Sequence, residues 1–138
     1  MGRLSYKWQM ENAIWDLLDL ARELDVTVSF HDPATCEHVW PECHGLFNES
    51  ENRIRIYKTK EIRLSAHHVF TLAHELRHVF QFRNRMWPSY WLSSLGIYPN
   101  HLDHPMTSAV EEDADQAARE FMIKNKLPIP TDFSPQKI

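Results

Sequence analysis

Residues 65–84, SAHHVFTLAHELRHVFQFRN, constrain this chain more than any other stretch. Val69, Leu72, Leu76 and then Val79 or Phe80 recur every three or four positions, which predicts a helix over 66–84 with Ser65 as its N-cap. The same segment holds His74-Glu75-Leu76-Arg77-His78, whose two histidines lie away from that apolar stripe. Residues four apart on a helix sit about 40° apart around the axis and one turn along it. Both imidazoles can therefore reach one ion at zinc–nitrogen bonds of about 2.0–2.1 Å. Glu75, beside the first histidine, is then placed to take a proton from water and pass it to a leaving group. The bland alternative is a pair of surface histidines on an ordinary helix, and nine histidines make a chance H-E-x-x-H conceivable. The motif's place in mid-helix, opposite an apolar face, favours the metal.

The rest of the chain reads as one α+β domain over residues 1–138. Met10, Ile14, Leu17, Ala21 and Leu24, widened by Trp15 and Leu18, predict an amphipathic helix over 6–24. VTVSF (26–30) reads as a strand, and residues 31–44 as a loop. Short strands follow near 45–48 and 53–58. Ile54 and Ile56 point inward, Arg53 and Arg55 outward, and ESEN (49–52) makes the hairpin turn. Residues 85–106 form an irregular aromatic insertion, 108–125 a third helix with Val110, Ala114, Ala117 and Phe121 inward, and 128–138 a proline-rich tail.

A catalytic zinc takes three protein ligands and keeps one position open. In VEEDAD, Glu111 and Asp115 share a helix face, which suits a carboxylate ligand with an aspartate behind it orienting a ligand histidine. Glu112 faces further from the core. Ser108-Ala-Val-Glu111 is also a capping box, in which Glu111 only closes the helix start. His101 and His104 are rival third ligands.

TLAHELRHVFQ followed by E-x-x-A-D-x-A-A-x-x-F resembles the small zincin domain of the ImmA/IrrE type, a gluzincin-like metallopeptidase of bacteria and phages. The resemblance covers roughly residues 10–127. It implies a minimal zincin-like fold with one zinc per chain, held by His74, His78 and Glu111, and with Glu75 as catalytic base. It also implies an intracellular protein target. Asp115 stands where that family often has asparagine, and Arg77 where many zincins have glycine. Gln81 and Asn84 occupy the last two positions of the longer H-E-x-x-H-x-x-G-x-x-H pattern, which excludes a metzincin.

Tyr98, His101 and His104 in the insertion are candidate donors to an oxyanion, against simple aromatic packing. His67 and His68 read as exposed or capping. His31, Cys36, His38, Cys43 and His44 crowd one segment without a zinc-knuckle spacing, so free thiols and solvated histidines are expected there rather than a second metal. A net charge of −4 argues against a nucleic-acid partner. No stretch is apolar enough for a membrane span. MGRLSYKWQMEN lacks the apolar core of a signal peptide, and with two cysteines the expected setting is the cytoplasm. Two functions follow. One is a zinc metallopeptidase cleaving a peptide or protein. The other is a non-catalytic binding protein on the same scaffold, with a structural zinc.

Overall fold

The computed structural model describes residues 2–32, 45–58, 65–84 and 105–130, with side chains from Trp8 in the first stretch and Ala109 in the last. The insertion up to residue 104, the loop bearing Cys36, His38, Cys43 and His44, and the tail beyond residue 130 lie outside the described residues. Three helices and a three-stranded sheet follow in the order α1 (Gly2–Glu23), β1 (Thr27–His31), β2 (Gly45–Asn48), β3 (Arg53–Tyr57), α2 (Ala66–Arg83) and α3 (Pro105–Lys124). This is the expected α+β class.

Strand β3 is central. It pairs parallel with β1 (Val28 opposite Ile54) and antiparallel with β2 (Phe47 opposite Ile54). Ile54 and Ile56 are fully buried, as their alternation requires, and lie in one core with Leu17, Phe70, Leu72, Leu76, Val79 and Met122. Between β2 and β3 the chain turns through Asn52 at φ 54°, a left-handed position that asparagine tolerates.

Helices α1 and α3 end alike. Asp25 (φ 55°) and Lys126 (φ 57°) turn left-handed, Val26 N–H returns to Ala21 O at 3.0 Å, and Leu127 N–H returns to Met122 O at 2.9 Å. Each is a Schellman cap whose following residue, Val26 or Leu127, is buried. Arg83, in the last turn of α2, donates to Leu24 O at 3.1 Å, Asp25 O at 3.2 Å and Asn52 Oδ1 at 2.6 Å. One guanidinium thereby holds the α1–β1 and β2–β3 turns against α2.

Three expectations need correction. Trp15 is 64% exposed, because α1 buries the narrower stripe Ala13, Leu17 and Ala21. Helix α3 buries Val110, Ala114, Ala118 and Met122, while Ala117 and Phe121 are half-buried. Positions 117 and 121 belong to a second apolar edge that looks toward α1. Finally, α3 starts at Pro105 rather than Ser108, since proline's fixed φ and missing N–H suit a first turn. Among the described residues, no helix is long and apolar enough to cross a membrane.

Candidate metal centre

Helix α2 is packed on both sides, so its polar stripe is buried rather than wet. His74, Glu75, His78 and Gln81 are all buried; His74, His78 and Gln81 face α3, and Glu75 reaches β2. Pairing along the contact runs His74 to Asp115, His78 to Glu111 and Gln81 to Val110, so the two helices cross this face antiparallel.

Three groups converge. His74 Nε2 and His78 Nε2 are 3.0 Å apart, Glu111 Oε2 is 3.2 Å from the first, and Glu111 Oε1 is 3.0 Å from the second. His74, Glu75 and His78 also form a group whose ligand atoms all lie within 4.8 Å of one another, so it could hold a metal ion. Glu75 Oε2 is 3.8 Å from His74 Nε2, further than either Glu111 contact, which makes Glu111 the nearer carboxylate. Ligands at about 2.0–2.1 Å around a tetrahedral zinc are roughly 3.3–3.4 Å apart, so the triangle needs only slight opening.

Hydrogen bonding settles which way the rings present their lone pairs. Gln81 Nε2 donates to Val110 O (3.0 Å) and Asp113 Oδ2 (2.8 Å), so Gln81 Oε1, 2.7 Å from His78 Nδ1, must accept. The neutral His78 ring therefore carries its proton on Nδ1 and a lone pair on Nε2. His74 Nδ1 sits 2.8 Å from Asp115 Oδ1; the pair is not aligned as a hydrogen bond, but a carboxylate so near favours the proton on Nδ1 and leaves the lone pair of the neutral ring on Nε2. Two lone pairs and a carboxylate thus point at one another. Although these contacts are short, neither Glu111 oxygen has a partner aligned as a hydrogen bond among the described residues. Buried acceptors so arranged call for a cation between them. The residues fit a divalent metal.

Without one, a proton has to serve. Burial alone would lower the basicity of His74, but Asp115, Glu111 and Glu75 outweigh it and push its pKa up to about 10. For Glu111 burial raises the pKa, and His74 and His78 outweigh it, bringing it down to about 2. Glu75 goes the other way: burial lifts it above the usual carboxylate range against the pull of His78 and His74.

The sheet positions Glu75 from below. Phe47 N–H of β2 donates to Glu75 Oε1 at 2.9 Å. That approach needs Gly45, where a Cβ would lie 2.6 Å from Thr71 Cγ2 and 3.1 Å from Arg55 O. The capping alternative for Glu111 fails, since α3 begins at Pro105 and Ser108 is already inside the helix. Glu112 is exposed, as expected. His68 caps its helix: Ser65 N–H donates to His68 Nδ1 at 2.9 Å. His31 belongs to β1 and pairs with Ser29 Oγ at 2.8 Å. Tyr98, His101 and His104 lie outside the described residues.

Sequence reasoning missed Gln81 and Asp113. Asp113 takes both Arg77 Nε (2.7 Å) and Gln81 Nε2, and the Arg77 pair holds it below the usual carboxylate range. The available signal was spacing: Arg77, His78 and Gln81 follow His74 at i+3, i+4 and i+7, one stripe of the helix. No family model, curated protein or solved structure matches the chain, so its own geometry has to carry the functional reading.

Proposed function

We propose that this chain is a zinc-dependent metallopeptidase hydrolysing a peptide bond in an intracellular peptide or protein. The observation that carries the reading is the convergence of His74 Nε2, His78 Nε2 and the Glu111 carboxylate, with Glu75 beside them. His74, His78 and Glu111 would hold the metal, and Asp115 would orient His74 through Nδ1. When bound, zinc supplies a Lewis acid for the scissile carbonyl and makes water more acidic. Glu75 takes a proton from water and delivers it to the leaving nitrogen, its carboxyl steadied by Phe47 N–H. The resemblance to small zincins supports the same assignment, and a substrate strand beside β2 would place its carbonyl near Glu75.

One observation favours the second reading, a binding protein with a structural zinc. His74, Glu75 and His78 are at most 2% exposed, and Glu75 lies close enough to complete a closed site as fourth ligand. Glu75→Gln separates the two. As a base it is lost without loss of zinc, so the variant keeps about one zinc per chain and cleaves nothing. As a ligand its loss empties the site. Zinc content by mass spectrometry and a cleavage screen on a peptide library read both. A variant cleaving at the wild-type rate would refute the mechanism.

A further inference from the structure

We infer that Gln81 is a positioning residue of this metal centre, working on both helices that build it. The inference rests on the proposed metal site and adds a residue to it. The Gln81 side chain is fully buried and uses every polar atom for a purpose the site needs. Its oxygen, 2.7 Å from His78 Nδ1, keeps the ring proton there and leaves the Nε2 lone pair to the metal. Its amide grips α3 on both sides of Glu111: Val110 O at 3.0 Å precedes that residue, and Asp113 Oδ2 at 2.8 Å follows it.

The same amide group has no freedom to flip. Reversing it would set its oxygen against the Val110 carbonyl and the Asp113 carboxylate, and its NH2 against the His78 N–H. Arg77 adds to this lock, since Nε and Nη2 hold both Asp113 oxygens at 2.7 and 3.2 Å. The Asp113 carboxylate is therefore fixed before Gln81 reaches it. Gln81 thus links the protonation pattern of one ligand, His78, to the placement of another, Glu111.

A merely structural glutamine and a positioning one respond differently to two substitutions in the full chain. Gln81→Leu removes acceptor and donors together. Gln81→Glu keeps an acceptor for His78 Nδ1–H but sets a carboxylate against Val110 O and Asp113. In zinc competition against a chelator, Gln81→Leu should lose about 10–100-fold in affinity. Gln81→Glu, which keeps the His78 contact but loses the grip on α3, should lose less affinity than Gln81→Leu, and its metal-free form should melt lower. Long-range proton–nitrogen correlation on histidine-labelled, metal-free protein should show one His78 tautomer, Nδ1–H, in wild type and Gln81→Glu and a mixture in Gln81→Leu. If Gln81→Leu fails to fold, Gln81→Asn, which retracts the amide by one methylene, carries the same comparison.

Unchanged zinc affinity in Gln81→Leu overturns the inference, and so does Gln81→Glu falling as far as Gln81→Leu. Failure of the metal reading looks different: wild type would then bind no zinc through His74 and His78. The tautomer spectrum still decides in that case, and a single Nδ1–H tautomer surviving in Gln81→Leu overturns the role of Gln81.

Discussion

Toward α1, helix α2 presents Ala73, Leu76 and Phe80 to Leu17, Leu20 and Leu24, and an apolar cavity of about 200 Å3 remains between them and the Ala117 and Phe121 edge of α3. On its polar side the same helix presents His74, Arg77, His78 and Gln81 to α3, and there each side chain meets a named acceptor or lone pair. Apolar contact is non-directional and tolerates a gap, at a modest loss of dispersion. A buried polar seam does not, because one unmatched atom loses its full solvation. The two flanks should therefore fail in different ways when changed.

The largest effect is expected on the polar flank. On the proposed site His78→Ala removes a ligand, and its zinc affinity should fall beyond the roughly 100-fold that loss of an orienting partner costs. Glu111→Gln should follow it, whereas Glu112→Gln, on the exposed side, should bind like wild type; chelator competition ranks all three. On the apolar flank Leu76→Ala should cost about 2–5 kcal/mol in denaturant melts and leave one zinc per chain. Zinc loss in Leu76→Ala at temperatures where it stays folded would show that the flanks are not separable. Between these lies Asp115→Asn, which keeps a contact to His74 Nδ1 but weakens it, for about 10–100-fold in affinity.

The seam also predicts opposite pH slopes with and without metal. In metal-free protein His74 rises from 6.5 to about 10, so its stabilisation is complete below pH 6.5 and is lost as pH climbs toward 10. Glu111 drops from 4.5 to about 2, so its share holds above pH 4.5 and is lost as pH falls toward 2. The metal-free melting temperature should thus peak between those limits and decline on the alkaline side. If the proposed site is right, zinc displaces the His74 proton, and zinc affinity should rise over the same alkaline range. Calorimetric titration in buffers of different ionisation enthalpy should show about one proton released near pH 7. Parallel slopes in the two forms would remove the proton from the metal's place.

How much of this was legible depends on what kind of signal each part leaves. The α2 stripe and the i, i+4 histidines are periodic, and periodic features survive translation from sequence to helix. Glu111 and Asp115 were legible for the same reason. The Phe47 N–H that steadies Glu75 is a backbone group, and no residue type announces it. Gln81 stood out only as a mismatch to a longer histidine motif, because its role depends on Asp113 and Val110, 32 and 29 residues away. Trp15 misled through size: an apolar ring raises the expected burial, yet α1 needs only its alanine and leucine stripe against the core.

The smallest expected effect tests the insulation of the two flanks most directly. Ala117 lines the apolar cavity from α3, two residues after Asp115 and on another face of that helix. Ala117→Leu adds three carbons where empty space already exists, so overpacking is avoided and apolar surface is covered. Leu20 and Phe80, partly exposed at the rim, leave the new side chain incompletely buried, which limits the gain to about 0.5–1 kcal/mol, the low end of cavity-filling changes. Substitutions without directly shared partners add; the enlarged side chain would touch neither His74 nor His78, and its link to the seam is Arg77, which lines the same cavity and holds Asp113. The variant should therefore melt slightly higher in the metal-free form and bind zinc with unchanged affinity. If it melts higher but binds zinc more weakly, α3 turns as a rigid body when its apolar edge is filled. The polar seam would then depend on the gap on the opposite flank rather than stand apart from it.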